Sequence, residues 1–153
     1  MELTTREDIE APIDFVFDRI TDFPTFERSI MRRGGDVERL DGDAKAALGT
    51  RWSVKFLMRG AERKVVAELV EIDSPSHMKL AMTSNAADAD LKVELVPLSR
   101  ARTRMIVHMA ATAKSIPAKL FFQSLRFARQ KSQGRFKEVV TDFAGDVETR
   151  YRA

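Results

Sequence analysis

The chain lacks cysteine altogether, has only two histidines among its 153 residues, and contains no long uncharged hydrophobic run. The absence of cysteine excludes disulfides, thiol nucleophiles and cysteine-based zinc sites. The two histidines, His77 and His108, are too few for a histidine-rich metal cluster. No segment approaches the roughly 18 apolar residues of a membrane span, and no signal-peptide core follows Met1. These absences predict a cytoplasmic protein that holds no metal and no other cofactor.

What the chain does contain is typical of a folded protein. Hydrophobic residues make up 44% of the sequence and charged residues 32%, which excludes wholesale disorder. A chain of this length can bury about two-thirds of its unfolded surface around one core. We therefore expect a single domain over residues 1–153, with residues 148–153 frayed.

The net charge of +3 is a small difference between 26 basic and 23 acidic residues, but two stretches are locally basic. One contains Arg28, Arg32, Arg33 and Arg39; the other contains Arg126, Arg129, Lys131, Arg135 and Lys137. No aromatic residues alternate with these basic residues, so we expect no nucleic-acid partner. Solvated surface explains both stretches. The second lies on a predicted helix with phenylalanine on its other side, which leaves a role at a membrane surface open.

The spacing of apolar residues in the first quarter predicts a strand followed by two short helices. Residues 2–10 alternate between apolar and charged, as in a half-buried strand. Pro12 ends this strand and suits the first turn of a helix. Steps of three and four between apolar residues in 13–20, and again in 26–30, predict the two helices, and a pair of glycines ends the second.

Six further strands with no helix between them predict an antiparallel meander, because parallel strands would need crossover connections. They are expected at 37–40, 50–59, 64–72, 78–82, 91–95 and 103–113. Gly60-Ala61 is the expected hairpin turn between the second and third of these strands. The segment 64–72 is apolar at both odd and even positions. Either the set Val65, Ala67 and Leu69 or the set Val66, Val70 and Ile72 faces inward, and the pattern leaves both open.

The last third predicts one long amphipathic helix of roughly 30 residues, about 45 Å long, beginning at Pro117. Its apolar face is expected to carry Phe121, Leu125, Ala128, Ser132, Phe136, Val139, Phe143 and Val147. Gly134 lowers helix stability by about 1 kcal/mol relative to alanine and marks a candidate bend or close contact.

This order of elements is that of an α+β helix-grip fold, in which a curved antiparallel β-sheet wraps around a long C-terminal helix and two short helices follow strand 1. The segment DIEAPIDFVFDRITDFPTFERSI resembles the opening of the START-like SRPBCC superfamily. VVAELVEIDSPSHMKLAM is similar to its valine-rich strand, acidic-proline turn and next strand, and Thr103-Arg-Met-Ile-Val to its penultimate strand. The polyketide cyclase/dehydrase-like members are the most similar, and residues 60–127 also resemble the carbon monoxide dehydrogenase component of this superfamily.

The resemblance implies an apolar cavity between sheet and helix that binds a hydrophobic small molecule such as a lipid, quinone, polyketide or aromatic compound. We expect its wall to come from the inward faces of the strands and the last helix. The predicted ligand-binding residues are Trp52, Val54, Phe56, Met58, Met78, Leu80, Met82, Leu91, Val93, Met105, Val107, Met109, Phe121 and Leu125. Five of them are strand methionines, whose flexible side chains suit irregular ligands. The alternative is that methionine simply fills gaps in the core.

Few residues are candidates for catalysis. His108 lies opposite in parity to the Met105–Met109 face and is expected to point outward, and His77 lies beside a turn. Glu68 is a weak candidate for a buried acid–base group if Val66 and Val70 face inward, and a surface residue otherwise. Three hypotheses follow: a carrier of a hydrophobic molecule, a cyclase or dehydratase with a cavity carboxylate, and an accessory protein acting at a membrane or partner through its basic helix.

Overall fold

The fold places one curved antiparallel sheet against four helices. It was obtained as a computed structural model, which describes residues 1–42 and 44–153. The strands within these residues are β1 (Glu2–Ile9), β2 (Asp36–Arg39), β3 (Arg51–Met58), β4 (Ala61–Asp73), β5 (His77–Thr83), β6 (Ala87–Ser99) and β7 (Arg102–Ala113). The helices are α1 (Ile13–Ile20), α2 (Phe23–Arg32), α3 (Ile116–Phe127) and α4 (Arg129–Arg152). The strand order is β1-β7-β6-β5-β4-β3-β2, and it confirms the predicted α+β helix-grip fold.

The inner face of the sheet is apolar in nearly every register position. Trp52 lies opposite Ala67, Ala67 opposite Met82, and Met82 opposite Ala89. Directly opposed residues point to the same face of a sheet, so these side chains share the concave side. The α1 residues Val16, Phe17 and Ile20 and the α4 residues Val140, Ala144 and Val147 pack in the same core cluster as the inner-face side chains.

The facing of β4, which the sequence pattern left open, follows from this register. Val65, Ala67 and Leu69 lie on the inner face, and Glu68 lies opposite Arg51 on the outer face. The pairing with β5 then shifts between Leu69 and Glu71. This β-bulge inserts one residue, so the inward positions change from odd to even numbers within the strand. The bulge explains why both parities of the segment are apolar.

The hairpin between β3 and β4 turns one residue earlier than expected. Met58 is paired with Ala61, so Arg59-Gly60 form the turn and Ala61 already belongs to β4. Both turn residues have positive φ, 54° for Arg59 and 76° for Gly60. A two-residue hairpin loop of this kind requires φ above zero at both central positions, and glycine adopts it freely.

The predicted long C-terminal helix is two helices, which corrects the expectation of one continuous element. The helix breaks at Ala128 (φ −103°, ψ 35°) and not at Gly134. Because α3 packs on β7 while α4 packs on β1, tertiary packing overrides the helix propensity of alanine. The break changes the helix phase, so that Val139 is 68% exposed and Val140 is buried instead. The chain is helical to Arg152, which corrects the expected fraying of 148–153. Among the described residues, no helix is both long and apolar enough to cross a membrane.

Asp22 caps α2 and gives a pH-dependent prediction. Its carboxylate accepts the Thr25 hydroxyl proton at 2.7 Å and the Thr25 backbone N–H at 3.4 Å. The hydroxyl hydrogen bond, with the backbone one and nearby arginines, holds the pKa of Asp22 below its usual range despite partial burial. We expect Asp22→Ala to lower the free energy of unfolding by about 1 kcal/mol at neutral pH. Urea unfolding, with the exposed Asp18→Ala as control, measures this.

The pH dependence of the Asp22→Ala effect has a definite sign. A carboxyl whose pKa is lowered by folding stabilises fully above its unfolded pKa of about 4. This contribution is lost as the pH falls through the lower pKa of the folded state. The difference between the variant and the unmodified chain should therefore shrink in strong acid, and a difference that stays constant there would contradict the capping role.

Candidate ligand-binding cavity

A cavity of about 590 Å³ opens between the β3–β4 hairpin, the β5–β6 turn and the first half of α3. Phe56, Met58 and Val65 reach it from the inner face of the sheet. Its helical wall is aromatic and small, since α3 contributes Ala118, Phe121 and Phe122. Ligand pockets of proteins are concave, mostly apolar and roughly 300–1,000 Å³ in volume. The cavity thus has the size and lining of a small-molecule site.

The start of α3 is fixed by local capping. Ser115 adopts an extended backbone conformation, and its hydroxyl accepts the backbone N–H of Ala118 at 3.2 Å. Pro117 lies in the first turn, where a missing N–H costs no helical hydrogen bond. The next turn then carries Phe121 and Phe122 side by side, with ring centroids 6.2 Å apart. Capping thereby sets which side chains of α3 reach the cavity.

The rim of the cavity is charged and mostly basic. Arg59, Arg63 and Lys64 line it together with Glu62. Within the described residues, none of the three basic side chains forms a salt bridge. The guanidinium carbon of Arg59 lies 4.0 Å from the centroid of the Phe121 ring. Its left-handed backbone therefore accompanies a cation–π contact across the mouth.

A second polar group closes the opposite end of the inner face. The Glu27 carboxylate of α2 accepts the indole N–H of Trp52 at 2.8 Å and the Nε–H of Arg39 at 2.7 Å. The Phe23 and Trp52 rings lie 5.0 Å apart. The side chain of Trp52, 5% exposed, is therefore fixed in the core and is not free to contact a ligand.

The predicted ligand-binding residues fall into three groups. Three of them line the cavity: Phe56, Met58 and Phe121. Five are buried in the core: Trp52, Met78, Val93, Met105 and Val107. The remaining six are half-buried and do not line the cavity: Val54, Leu80, Met82, Leu91, Met109 and Leu125. Of the five strand methionines, Met58 is the one that reaches the described cavity, because the others lie deeper along the sheet.

Sequence reasoning missed several lining residues for identifiable reasons. Val65 lies on the strand whose facing was open, and Phe122 lies beside the predicted inward position on the helix. Arg59 and Arg63 flank the predicted hairpin turn, where the pattern indicates no role for either. Arg63 is paired with Phe56 and shares its inner face. A signal was present in the sequence, since alternation from Trp52 to Met58 fixes the face of any residue paired with them.

The acid–base candidates lie outside the cavity. Glu68 is on the outer face and does not line it. His108 lies on the outer face as expected, 3.2 Å from the Thr4 hydroxyl and 3.5 Å from Glu94. His77 lies 3.6 Å from Glu71 at the edge of the sheet. In the described part of the chain, no three histidine, aspartate or glutamate side chains cluster as metal ligands.

Comparison with known families agrees with this architecture. Residues 1–148 match the family described as polyketide cyclase/dehydrase and lipid transport. The chain belongs to this family, which confirms the START-like SRPBCC resemblance drawn from its motifs. No curated protein is a significant match to the sequence.

Solved structures share the fold at low sequence identity. A protein of Thermus thermophilus is 16% identical, with a TM-score of 0.70 over 98% of this chain and 99% of its own. An aromatase/cyclase of Streptomyces sp. R1128 is 12% identical, with a TM-score of 0.70 over 100% and 96%. A norcoclaurine synthase point mutant of Thalictrum flavum is 10% identical, with a TM-score of 0.68 over 100% and 96%. At these identities the likeness establishes the fold alone.

Proposed function

We propose that the chain binds a small apolar molecule carrying an acidic group in the cavity between sheet and α3. One observation carries the proposal: an aromatic and aliphatic wall of about 590 Å³ meets a rim with three basic side chains and one acidic one. The wall removes apolar surface from water, at roughly 25 cal/mol per Å². The unpaired basic side chains of the rim attract an anion at the mouth.

The family description supports lipids and polyketides as ligand classes. Quinones and aromatic compounds with an acidic substituent fit the same wall. A cyclase or dehydratase reaction would need an ionisable group beside the bound ligand. Among the described lining residues, the one carboxylate is Glu62 at the rim. We assign the protein to binding or transport of the ligand, and a proton-transfer role to Glu62 only if turnover is found.

The test uses two fluorescent probes with the same ring skeleton. N-phenyl-1-naphthylamine is neutral, whereas 1-anilinonaphthalene-8-sulfonate carries an anionic group. Val65→Trp projects an indole into the cavity and should weaken both probes about tenfold or more, since overpacking is costly. Val66→Trp, on the outer face of the same strand, is the matched control and should leave both affinities unchanged.

Arg63→Gln separates the apolar and the anionic part of the site. It should weaken the sulfonate probe about fivefold, as expected for a rim ion pair of about 1 kcal/mol, and leave the neutral probe unaffected. Arg6→Gln, on β1, removes the same charge far from the cavity. Equal binding of both probes by the unmodified chain and Val65→Trp would overturn the cavity as binding site. A sulfonate affinity that Arg63→Gln and Arg6→Gln change equally would overturn the acidic group.

A further inference from the structure

The outer face of α3 is apolar and exposed to solvent. Ile116 is 74% exposed, Leu120 60% and Phe127 90%. At 3.6 residues per turn, these three positions project within about 40° of one another around the helix axis. They form one continuous stripe, which we call the outer stripe of α3.

The opposite face of α3 is also apolar, because it faces the cavity and the sheet. Ala118 is buried, and Phe121, Phe122 and Leu125 are half-buried. A surface helix normally has one apolar face and one polar face. The α3 helix has two apolar faces with polar flanks between them, and only the inner one is covered by the described residues. Exposed stripes of this kind mark surfaces that bind another apolar phase.

The charge around the outer stripe is of one sign. Residues 114–137 contain seven basic residues and no acidic one. These are Lys114, Lys119, Arg126, Arg129, Lys131, Arg135 and Lys137. Since the whole chain carries +3, all other residues together carry −4. The positive charge of the protein is therefore concentrated on α3 and the first half of α4.

The basic side chains are placed beside the outer stripe. Lys119 and Arg126 project about 60–80° from Ile116, on one flank of the helix. Both are exposed, as are Arg129 and Lys131 at the start of α4. A cleft of about 470 Å³ between α3 and the end of β7 is lined by the same Lys119 and Arg126. An anionic group can thus approach these two cations next to the apolar stripe.

We propose that α3 docks on a membrane surface that contains anionic lipid, with the outer stripe in the acyl boundary and the basic flank against the headgroups. Helices that lie in a membrane interface combine an apolar face with lysine and arginine beside it. Charge complementarity selects anionic over zwitterionic lipid. The docking surface does not depend on what the cavity holds, so it stands apart from the proposed ligand.

The experiment measures co-sedimentation of the full chain with two kinds of vesicle. One contains phosphatidylcholine with about a third phosphatidylglycerol, and the other phosphatidylcholine alone. The unmodified chain should sediment with the anionic vesicles and be released by salt. Each basic residue near such a surface contributes about fivefold in affinity. The triple variant Lys119→Ala, Arg126→Ala, Arg129→Ala should therefore bind about 100-fold more weakly.

Two matched controls keep the test specific. Arg28→Ala, Arg32→Ala, Arg33→Ala removes the same charge from α2 and should keep most of the affinity. Ile116→Ser, Leu120→Ser, Phe127→Ser removes the outer stripe without changing charge and should abolish sedimentation, whereas Val96→Ser, Leu98→Ser should not. All substituted side chains are exposed, and circular dichroism verifies that the variants fold.

Three outcomes would overturn the proposal. The first is no sedimentation of the unmodified chain with anionic vesicles at low salt. The second is an equal loss in the α3 and α2 charge variants, which would indicate net charge alone. The third is binding to soluble polyglutamate as tight as to vesicles and unchanged by the serine variant, which would indicate an acidic protein partner.

Discussion

Replacing Glu27 by alanine is expected to lower the free energy of unfolding by about 3 kcal/mol. The carboxylate accepts hydrogen bonds from both Trp52 and Arg39, and the side chains of Glu27 and Arg39 are 20% and 11% exposed. Without it, an indole N–H and a guanidinium lose their partner in a poorly solvated place. An unsatisfied buried donor costs about 1–3 kcal/mol, and a charged one more. Urea unfolding measures the loss.

Two further variants separate the hydrogen bonds from the charge. Glu27→Gln keeps an acceptor oxygen for one donor and should recover about half of the loss. Glu38→Ala, an exposed residue of β2, should change stability by less than about 0.5 kcal/mol. Trp52 is the chain's one tryptophan, so its emission should shift to longer wavelength in Glu27→Ala. A Glu27→Ala protein as stable as Glu38→Ala would contradict the role of this carboxylate.

Leu69→Ala is expected to cost about 3–4 kcal/mol, the range found for a fully buried leucine. Leu69 is 0% exposed and belongs to the core cluster. Val70→Ala, at the bulge, removes a half-buried side chain and should cost about 1 kcal/mol. Thermal or urea unfolding of the two variants compares the two faces of β4 directly.

The ratio of these two losses tests the facing of β4. If Val66 and Val70 faced inward, Val70→Ala would be the more damaging substitution and Glu68 would point into the protein. A larger loss for Val70→Ala would therefore contradict the register and reopen Glu68 as an acid–base candidate. The expected order, Leu69 before Val70, leaves Glu68 beside Arg51 on the outer face.

The fold was predictable because each of its signals is local. Strict alternation from Trp52 to Met58 and from Met105 to Met109 fixes which side chains share a face, since side chains of a strand alternate with period two. The meander needed no long-range information, because neighbouring strands in sequence are neighbours in the sheet. The helix-grip order and the family resemblance then followed from the succession of elements.

The bulge and the helix break were not predictable from local pattern. The bulge after Leu69 is set by pairing with β5, and alanine at position 128 carries no helix-ending signal. The cavity's position depends on which part of the inner face the helices cover. Met78 and Met105 pack in the core with α1 and α4, whereas Met58 stays at the open end. Periodicity assigns a face, but it does not tell which part of that face remains uncovered.

The most direct test of the ligand site uses the methionines as reporters. Carbon-13 methyl labelling of methionine gives one NMR signal per residue, and single substitutions assign them. On titration with N-phenyl-1-naphthylamine, the Met58 signal should shift, because Met58 lines the cavity. Met31, exposed on α2, should stay unchanged, and so should Met105, which is 1% exposed in the core. A Met58 signal that stays constant while Met31 or Met105 shifts would contradict the cavity as the binding site.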